Sequence, residues 1–359
     1  MAAESARVEL PLAYLRIALI GRGAETSARR LSGRHMSSAR KIIHFAAALL
    51  LAAAASGCAP SESGSGSFER NLAVTGPVVL DISNGSGNVE ISPGSSGTVH
   101  VHAEFRVRTW PWENGKRRAV EISQNPPIEQ NGNLIRIGRD QWKHWNIEIH
   151  YTIVTPAETE LRGTVGSGGL TVRGIRGPAR IISGSGDVTA EQIGEDTQAT
   201  AGSGDIRLTD ISGEVQATAG SGDLRLSNVR GELRAHTGSG DITVEHPGGA
   251  VTTGAGSGDL TVRGASGDVR AHTGSGSVGV DGDPAATSFW DIHTGSGEVT
   301  LHVPATASFR LYARSVSGKI ETSLPMVVEE RARRDLRARL GDGKARVEVE
   351  TGSGDISVH

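Results

Sequence analysis

The chain has 359 residues, of which 49 are glycine and only 4% are aromatic, and this composition excludes the thick aromatic interior of an ordinary globular domain. The single cysteine excludes an intrachain disulfide and a cysteine-rich metal site. The net charge of −3 falls to −8 without residues 1–57, which hold eight basic and three acidic side chains. This acidic balance excludes a nucleic-acid partner, because neutralising phosphates requires a basic surface.

The N-terminal segment has the features of an export signal. Residues 1–35 match no export pattern, and we interpret them as a non-structural leader, with translation beginning at Met36. Residues 36–57 combine a short basic segment, an apolar run over residues 42–55 and a junction of small residues, as secretory signals do. Cys58 follows directly and resembles the acylated cysteine of a bacterial lipobox, which predicts a lipoprotein anchor. A plain cleaved signal with an incidental cysteine is the alternative.

Residues 58–75 are rich in Ser and Gly, and this composition predicts a flexible tether before a folded domain at 76–359. Alternating apolar residues then predict short strands, the longest over residues 99–107. The turn Gly85-Ser86-Gly87 between two of these strands anticipates a later repeat. We therefore interpret it as part of an early unit of that repeat; each such unit is called a rung below.

Residues 108–150 break this pattern and contain four of the five tryptophans, namely Trp110, Trp112, Trp142 and Trp145. Turn residues separate predicted strands at 119–122 and 134–137, so the segment is interpreted as a pair of hairpins near the N-terminal end. The tryptophans have two interpretations. They form core for these strands or a cover on the open end of the solenoid, or they form an exposed aromatic platform for sugar rings or a partner.

From Gly166 onward the phrase Gly-Ser-Gly returns every 18 residues, and a fixed period of this kind indicates a solenoid whose repeats stack to bury their apolar faces. With the first glycine as position one, apolar residues occupy positions five and seven and, after a second turn, positions fourteen and sixteen. This pattern predicts two short strands per rung, two facing parallel sheets and a repeat core at 166–294. Glycine at the turns suits a chain reversal that needs positive φ angles. The phrase begins at Gly166, Gly184, Gly202, Gly220, Gly238, Gly256 and Gly274.

The strand that ends at Pro156, a short polar link and the serial Ser-Gly-Asp-Ile rungs resemble the DUF4097 family, a bacterial adhesin-like family of β-helical domains of unknown function. The likeness extends from Val78 to His359. Together with the repeat pattern it implies an all-β fold, a single-chain parallel β-solenoid (β-helix) with 18-residue rungs. A strand and hairpin segment is expected at its N-terminal end and an edge hairpin at its C-terminal end.

Position four of successive rungs predicts a column of carboxylates at the turns, about 4.8 Å apart. Arg207 and Arg225 lie two residues on and face the same way, and an Asp side chain commonly caps N–H groups of a turn, so the column has a structural explanation. Calcium is the alternative, although the nine-residue Gly-Asp pattern of calcium-binding β-rolls is absent. The column comprises Asp187, Asp205, Asp223, Asp241 and Asp259.

Three histidines, His236, His272 and His293, share a position two residues before the turn glycine. His272 and His293 occupy adjacent rungs, and a shared metal is one interpretation. No third ligand accompanies them in the sequence, which favours solvated side chains without a metal.

After Gly274 the interval between phrases lengthens to 21 residues. Residues 283–290 predict a bulge at one edge, which would expose Trp290. Another 21 residues on, the phrase decays to Val316-Ser317-Gly318. The regular stack is therefore expected to end near this point.

The densely charged segment 327–340 has two interpretations. Acid–base pairs at helical spacing are compatible with a helix. Alternating apolar residues at 336–340 and 347–349, separated by Gly341-Asp342-Gly343, instead predict an edge hairpin, whose charged side chains would block end-to-end stacking. A final rung over residues 352–358 closes the chain.

Two classes of function are compatible with these features. The first is a non-catalytic lipoprotein of the bacterial cell envelope, at the outer membrane or surface, that binds a glycan or a protein; an envelope-stress sensor or scaffold belongs to the same class. The second is a β-helical polysaccharide lyase or hydrolase, which needs two carboxylates about 5–9.5 Å apart in a cleft. The irregular segments carry mostly Trp, Arg and Lys, so we expect no enzyme activity and no cofactor. A ligand surface is expected where the repeat fails, at Trp110, Trp112, Trp142, Trp145 and Trp290.

Overall fold

The computed structural model describes residues 63–108, 114–138 and 146–359. The proposed leader, the export signal and Cys58 lie outside these residues, as do Trp110, Trp112, Trp142 and Trp145. The described part forms two long β-sheets whose inward side chains make one hydrophobic cluster.

The N-terminal part of the described chain forms the first rung of the stack and the elements around it. β2 and β3 are this first rung, and β1, β4 and β7 extend one sheet beyond it through antiparallel pairs between β1 and β4 and between β4 and β7. α1 packs against β1 and β4. The elements are β1 (Gly64–Ala73), β2 (Val78–Ser86), β3 (Val89–Gly94), β4 (Thr98–Arg108), α1 (Gly115–Gln124), β5 (Ile128–Asn131), β6 (Leu134–Ile137) and β7 (Asn146–Pro156).

The regular repeat then contributes two strands per rung. These are β8 (Thr159–Ser167), β9 (Leu170–Arg173), β10 (Ala179–Ser183), β11 (Val188–Ile193), β12 (Thr197–Ala201), β13 (Ile206–Ile211), β14 (Val215–Ala219), β15 (Leu224–Val229), β16 (Leu233–Ser239), β17 (Ile242–Glu245), β18 (Val251–Ser257), β19 (Leu260–Ala265), β20 (Val269–Ser275), β21 (Val278–Gly282), β22 (Phe289–Ser296) and β23 (Val299–His302). The even-numbered strands of this list, which hold positions fourteen to sixteen, belong to one sheet, here called sheet I, and the odd-numbered strands, which hold positions five to seven, belong to the other, sheet II. Strands of successive rungs pair in parallel with equivalent residues opposite, as Ile206 is to Leu224. The predicted solenoid is confirmed.

Each rung of the core has a further inward position, beyond the four that the sequence pattern predicted. Residues at position nine, such as Gln192 and Asp210, have positive φ angles, both of 58°. This left-handed conformation turns the next side chain inward, and Ile211 is completely buried as a result. The buried column at position ten comprises Ile175, Ile193, Ile211, Val229 and Ala265.

Position eighteen is also inward-facing and often carries a hydroxyl group. The Thr237 hydroxyl, which is buried, donates a 3.0 Å hydrogen bond to the carbonyl oxygen of Gly222. Thr294 makes the same kind of bond, of 2.8 Å, to Gly276. These hydroxyls satisfy carbonyl groups of the Gly-Ser-Gly turns that would otherwise be buried without a partner.

The glycine at position one allows neighbouring rungs to approach closely, whereas the predicted positive φ angle occurs at position three, as in Gly168 (120°) and Gly258 (142°). Among the described rungs, no position-one glycine has a positive φ. A Cβ atom at Gly184 would instead lie 2.5 Å from the carbonyl oxygen of Gly166. Gly85 begins the column, and nothing lies within 4 Å of its Cβ position. The phrase therefore reflects contact with the preceding rung.

The C-terminal strands do not stack in the order of the sequence. β28 and β29 lie between the rung of β22 and β23 and the rung formed by β24 and β25, so the last rung of the chain is not the outermost. The predicted edge hairpin is present as the antiparallel pair of β26 and β27. The predicted partners are wrong, however. Residues 336–340 belong to β27 and residues 347–349 to β28, and β24 lies between these two strands. The strands are β24 (Phe309–Ser315), β25 (Ile320–Thr322), β26 (Val327–Arg331), β27 (Asp335–Leu340), β28 (Ala345–Ser353) and β29 (Ile356–Val358).

Two local predictions near the N-terminal end are corrected. The flexible tether at 58–75 is wrong from Gly64 onward, because β1 pairs along its whole length with β4. Its glycines are packed rather than flexible, since a Cβ atom at Gly64 would overlap the carbonyl group of Gly115. The predicted strand at 119–122 is part of α1, whose first turn is capped by the Asn114 side chain accepting a 2.9 Å hydrogen bond from the Arg117 N–H.

Candidate functional site

The outer face of sheet I contains a groove of about 760 Å³ that crosses several rungs. Outward side chains at position fifteen line it, because alternate residues of a strand face away from the core. Strand pairing places these residues opposite one another on successive rungs, about 4.8 Å apart. The column runs in the order Asp81, Arg162, Arg180, Gln198, Gln216 and Arg234.

Arg162 and Arg234, which flank the middle of this column, are neutralised by ion pairs. Arg162 lies 2.6 Å from the Glu160 carboxylate, and Arg234 lies 2.6 Å from that of Glu232. These pairs are exposed and contribute little to stability. They nevertheless hold both guanidinium groups against carboxylates at the border of the groove.

The middle of the column is free to bind. Within the described part of the chain, Arg180, Gln198 and Gln216 have no side-chain hydrogen bond or ion pair. A guanidinium and two amides thus present several donors and two carbonyl acceptors on three consecutive rungs. Beside them Ile182 is 39% exposed and stands opposite Thr200 on the next strand. The groove therefore offers a polar column next to an apolar and hydroxyl-bearing one.

The predicted carboxylate column has the structural role expected of it. The Asp187 carboxylate accepts a 2.9 Å hydrogen bond from the Asp205 N–H of the next rung. Asp205, Asp223 and Asp241 repeat this bond to the following rung at 2.9, 3.0 and 2.9 Å, and Asp259 accepts from the Ser277 N–H at 2.7 Å. Arg225 also pairs with Asp223 at 3.0 Å, whereas Arg207 makes no ion pair with a described residue. Backbone N–H groups and one arginine thus account for the column.

The histidine column lies on the same outer face, farther along the stack. The rings of His272 and His293 are 6.1 Å apart, and a carboxylate accompanies each of them, Asp291 at 3.2 Å and Glu350 at 3.6 Å. His236 lies two rungs before His272 and is separated from it by Gly254. Among the described residues, no group of three histidine, cysteine or acidic side chains is arranged to hold a metal ion.

Trp290 does not belong to a ligand surface, and that prediction is wrong. Its side chain is completely buried, and its indole N–H donates a 2.9 Å hydrogen bond to the carbonyl oxygen of Gly267. It fills the core at β22, where Val269 stands opposite it on the neighbouring strand. Because the other four tryptophans lie outside the described residues, their predicted role stays a prediction.

The polar column of the groove was not among the predicted site residues, because aromatic residues and carboxylates are the usual sequence markers of a ligand site. A signal was nevertheless present, since position fifteen holds Arg, Arg, Gln, Gln and Arg on consecutive rungs, from Arg162 to Arg234. An outward column has no packing reason to keep one chemistry, so such a run is informative.

No helix among the described residues is both long and apolar enough to span a membrane.

Comparison with known proteins gives a family and a set of similar folds. The family model described as Toastrack DUF4097 matches residues 78–255 and 251–359, which confirms the resemblance noted in the sequence. No curated protein matches the chain.

Similar solved structures come from several bacteria. A candidate adhesin of Bacteroides fragilis NCTC 9343 is 12% identical, with a TM-score of 0.34 and 82% of this chain and 97% of that chain covered. A candidate lipid-binding protein of Parabacteroides distasonis ATCC 8503 is 11% identical, with a TM-score of 0.35 and coverage of 82% and 96%. A candidate cell adhesion protein of Clostridium sporogenes ATCC 15579 is 13% identical, with a TM-score of 0.18 and coverage of 82% and 99%. At these identities the likeness concerns the fold alone.

Proposed function

Because the chain belongs to the Toastrack DUF4097 family, we propose that it is a non-catalytic binding protein of the bacterial cell envelope. In this proposal the groove of sheet I holds an extended polymer, and a lipid on Cys58 anchors the chain in a membrane. The observation that carries the proposal is the run of unpaired donors formed by Arg180, Gln198 and Gln216 along the groove.

The chemistry of the groove favours a polysaccharide rich in hydroxyl groups, with a carboxylate placed only at Arg180, because Asp81, Glu160, Asp196 and Glu214 also line the groove. Amide side chains donate to and accept from sugar hydroxyls, and an unpaired guanidinium suits a carboxylate. The rungs repeat at about 4.8 Å, which is close to the length of one sugar residue in an extended chain. Ile182 and the methyl group of Thr200 supply an apolar strip against which the C–H face of a ring can lie.

The proposed anchor would hold the solenoid close to the membrane. Only residues 59–63 separate Cys58 from the start of β1 at Gly64, which limits the span to about 22 Å. β1 is the outermost strand of sheet II at the N-terminal end of the stack. Cell fractionation tests the anchor, since Cys58→Ala should release the protein from membranes.

A binding experiment with a matched control tests the groove. The full chain is incubated with fractionated envelope polysaccharides, and bound sugar is measured for the wild type and for the triple variant Arg180→Ala, Gln198→Ala, Gln216→Ala. We expect the triple variant to lose binding, because all three free donors of the groove are removed. The control Thr171→Ala, Thr189→Ala, Arg207→Ala changes outward residues of sheet II on three consecutive rungs and should bind as the wild type does. Equal loss in both variants, or release of cleaved sugar, would contradict the proposal.

A further inference from the structure

A second pocket lies at the C-terminal end of the stack, away from the groove. It has a volume of about 390 Å³ and lies between β25 and the turn that joins β26 to β27. Three cationic residues line it, namely Lys319, Arg331 and Arg333, together with the acidic residues Glu321 and Asp335.

Lys319 occupies the position that carries a carboxylate on most other rungs. Its backbone N–H donates a 2.8 Å hydrogen bond to the Asp355 carboxylate of the neighbouring rung, as the equivalent N–H groups do on other rungs. The rung of β24 and β25 is the outermost one in sheet II, so no further N–H group requires a carboxylate at this position. The fold therefore does not explain why an ammonium group replaces the carboxylate here.

The backbone around the two arginines is fixed by hydrogen bonds. The Ala332 N–H donates to the carbonyl oxygen of Asp335 at 2.9 Å, and the Ser315 N–H donates to that of Arg334 at 3.0 Å. Leu336, which follows Asp335, is buried and anchors the turn in the core. Arg331 and Arg333 consequently project from a backbone of defined shape.

The charges of the pocket do not cancel. Asp335 is paired with Arg314, at 3.8 Å, which leaves Glu321 as the remaining carboxylate of the lining. Within the described residues, Lys319, Arg331 and Arg333 make no ion pair. Three unpaired cations thus surround a concave site in a chain whose net charge is −3.

We propose that this pocket binds the phosphate ester of a small ligand, such as a sugar phosphate or a glycerol phosphate. A phosphate monoester carries up to two negative charges and three acceptor oxygens, which match three cations better than a single carboxylate does. A pocket of this size holds a phosphate and a small polar group attached to it. The site is independent of the proposed polysaccharide groove, because no residue lines both.

The test is a calorimetric titration of the full chain with glycerol 3-phosphate. Lys319→Asp is the principal variant, because Asp occupies the same position on other rungs and the substitution should leave the melting temperature unchanged. We expect Lys319→Asp and Arg333→Ala each to weaken binding by at least about tenfold. The control Arg207→Ala removes an unpaired cation elsewhere on the surface and should not change the affinity. No binding of glycerol 3-phosphate to the wild type, or equal binding by Lys319→Asp, would overturn the proposal.

Two further ligands separate the phosphate from other anionic partners. Glucuronate has a carboxylate on a molecule of similar size, and affinity equal to that of glycerol 3-phosphate would overturn the preference for phosphate. Vesicles of phosphatidic acid present a phosphate monoester on a lipid, with phosphatidylcholine vesicles as control. Vesicle binding that depends on Lys319 without any binding of the soluble phosphate would overturn the small-ligand pocket in favour of a membrane surface.

Discussion

The glycine column predicts that one substitution has different effects at two equivalent positions. In Gly184→Ala the new methyl group would lie 2.5 Å from the Gly166 carbonyl oxygen, so the two rungs must separate by about 1 Å to reach an ordinary contact. That shift weakens the 2.8 Å bond from the Gly184 N–H to Val165 and the 3.0 Å bond from the Ser185 N–H to Gly166. Two weakened hydrogen bonds cost about 2 kcal/mol, and overpacking adds about 1–3 kcal/mol. Alanine also restricts the conformations of the unfolded chain, which stabilises the folded state by about 0.5 kcal/mol.

The net expectation is that Gly184→Ala lowers the free energy of unfolding by about 3 kcal/mol. Gly85→Ala is the matched control, because it begins the column and no atom lies within 4 Å of its Cβ position. Its effect should lie between zero and a stabilisation of about 1 kcal/mol. The assay is urea denaturation of the full chain, followed by far-ultraviolet circular dichroism. Free energies that agree within about 0.5 kcal/mol for the two variants would refute the close-approach explanation.

Three further predictions concern side chains with defined partners. The hydrogen bond from His100, at 2.6 Å, lowers the pKa of Glu69, so the stability that it contributes is present above the ordinary glutamate pKa and lost as the pH falls through the lowered value. The protection factors of the β1 amides, which correct for the intrinsic exchange rate, should therefore fall below about pH 4 in the wild type and show less of this pH dependence in Glu69→Gln. Trp290→Phe should lower the free energy of unfolding by about 1–3 kcal/mol in the urea assay, because it leaves the Gly267 carbonyl without its 2.9 Å donor, whereas an unchanged value would contradict the buried placement. Asp205→Asn should unfold as the wild type does and Asp205→Ala should lose about 1 kcal/mol, since only alanine removes the acceptor for the Asp223 N–H, and added calcium should not change this order.

The period and the inward columns at positions five, seven, fourteen and sixteen could be predicted because each depends on local alternation. The column at position ten could not, since it depends on a left-handed residue at position nine. Gln192, Asp210, Asn228 and His246 all adopt that conformation, with φ angles of 51–58°. Asp, Asn and His are enriched in the left-handed region, and glycine holds the same position in two other rungs, at Gly174 and Gly264, so the position carries a residue preference. The same residue types are common in any turn, however, and only the folded rungs show that the next side chain is turned inward here.

The location of the candidate site was unpredictable for a related reason. Tryptophan and carboxylate residues attract attention in a sequence, but Trp290 is buried and the Asp column is used by backbone N–H groups. The groove instead depends on which outward side chains remain without a partner after folding. Arg162 and Arg180 are alike in the sequence, yet only Arg162 is paired with a carboxylate. That distinction arises from the residues that flank each strand, and it required the folded arrangement of the rungs.

The first residue of the Gly-Ser-Gly phrase differs between the inserted rung and the outermost rung of the stack, and the order of the last rungs explains why. A 21-residue interval is equally compatible with rungs that stack in sequence order and with a rung inserted later. The outermost rung is the one in which Val316 replaces the first glycine, while Gly352 is retained on the inserted rung. An inserted rung is held between two neighbours and cannot move away from the Gly295 carbonyl oxygen, which would lie 2.6 Å from a Cβ atom at Gly352. Val316 follows the part of β24 that pairs with β27, so it has a neighbouring strand on one side only and can accommodate a side chain while its N–H keeps a 3.1 Å bond to the Thr351 carbonyl oxygen. Decay of the phrase therefore marks the free end of the solenoid rather than the end of the chain.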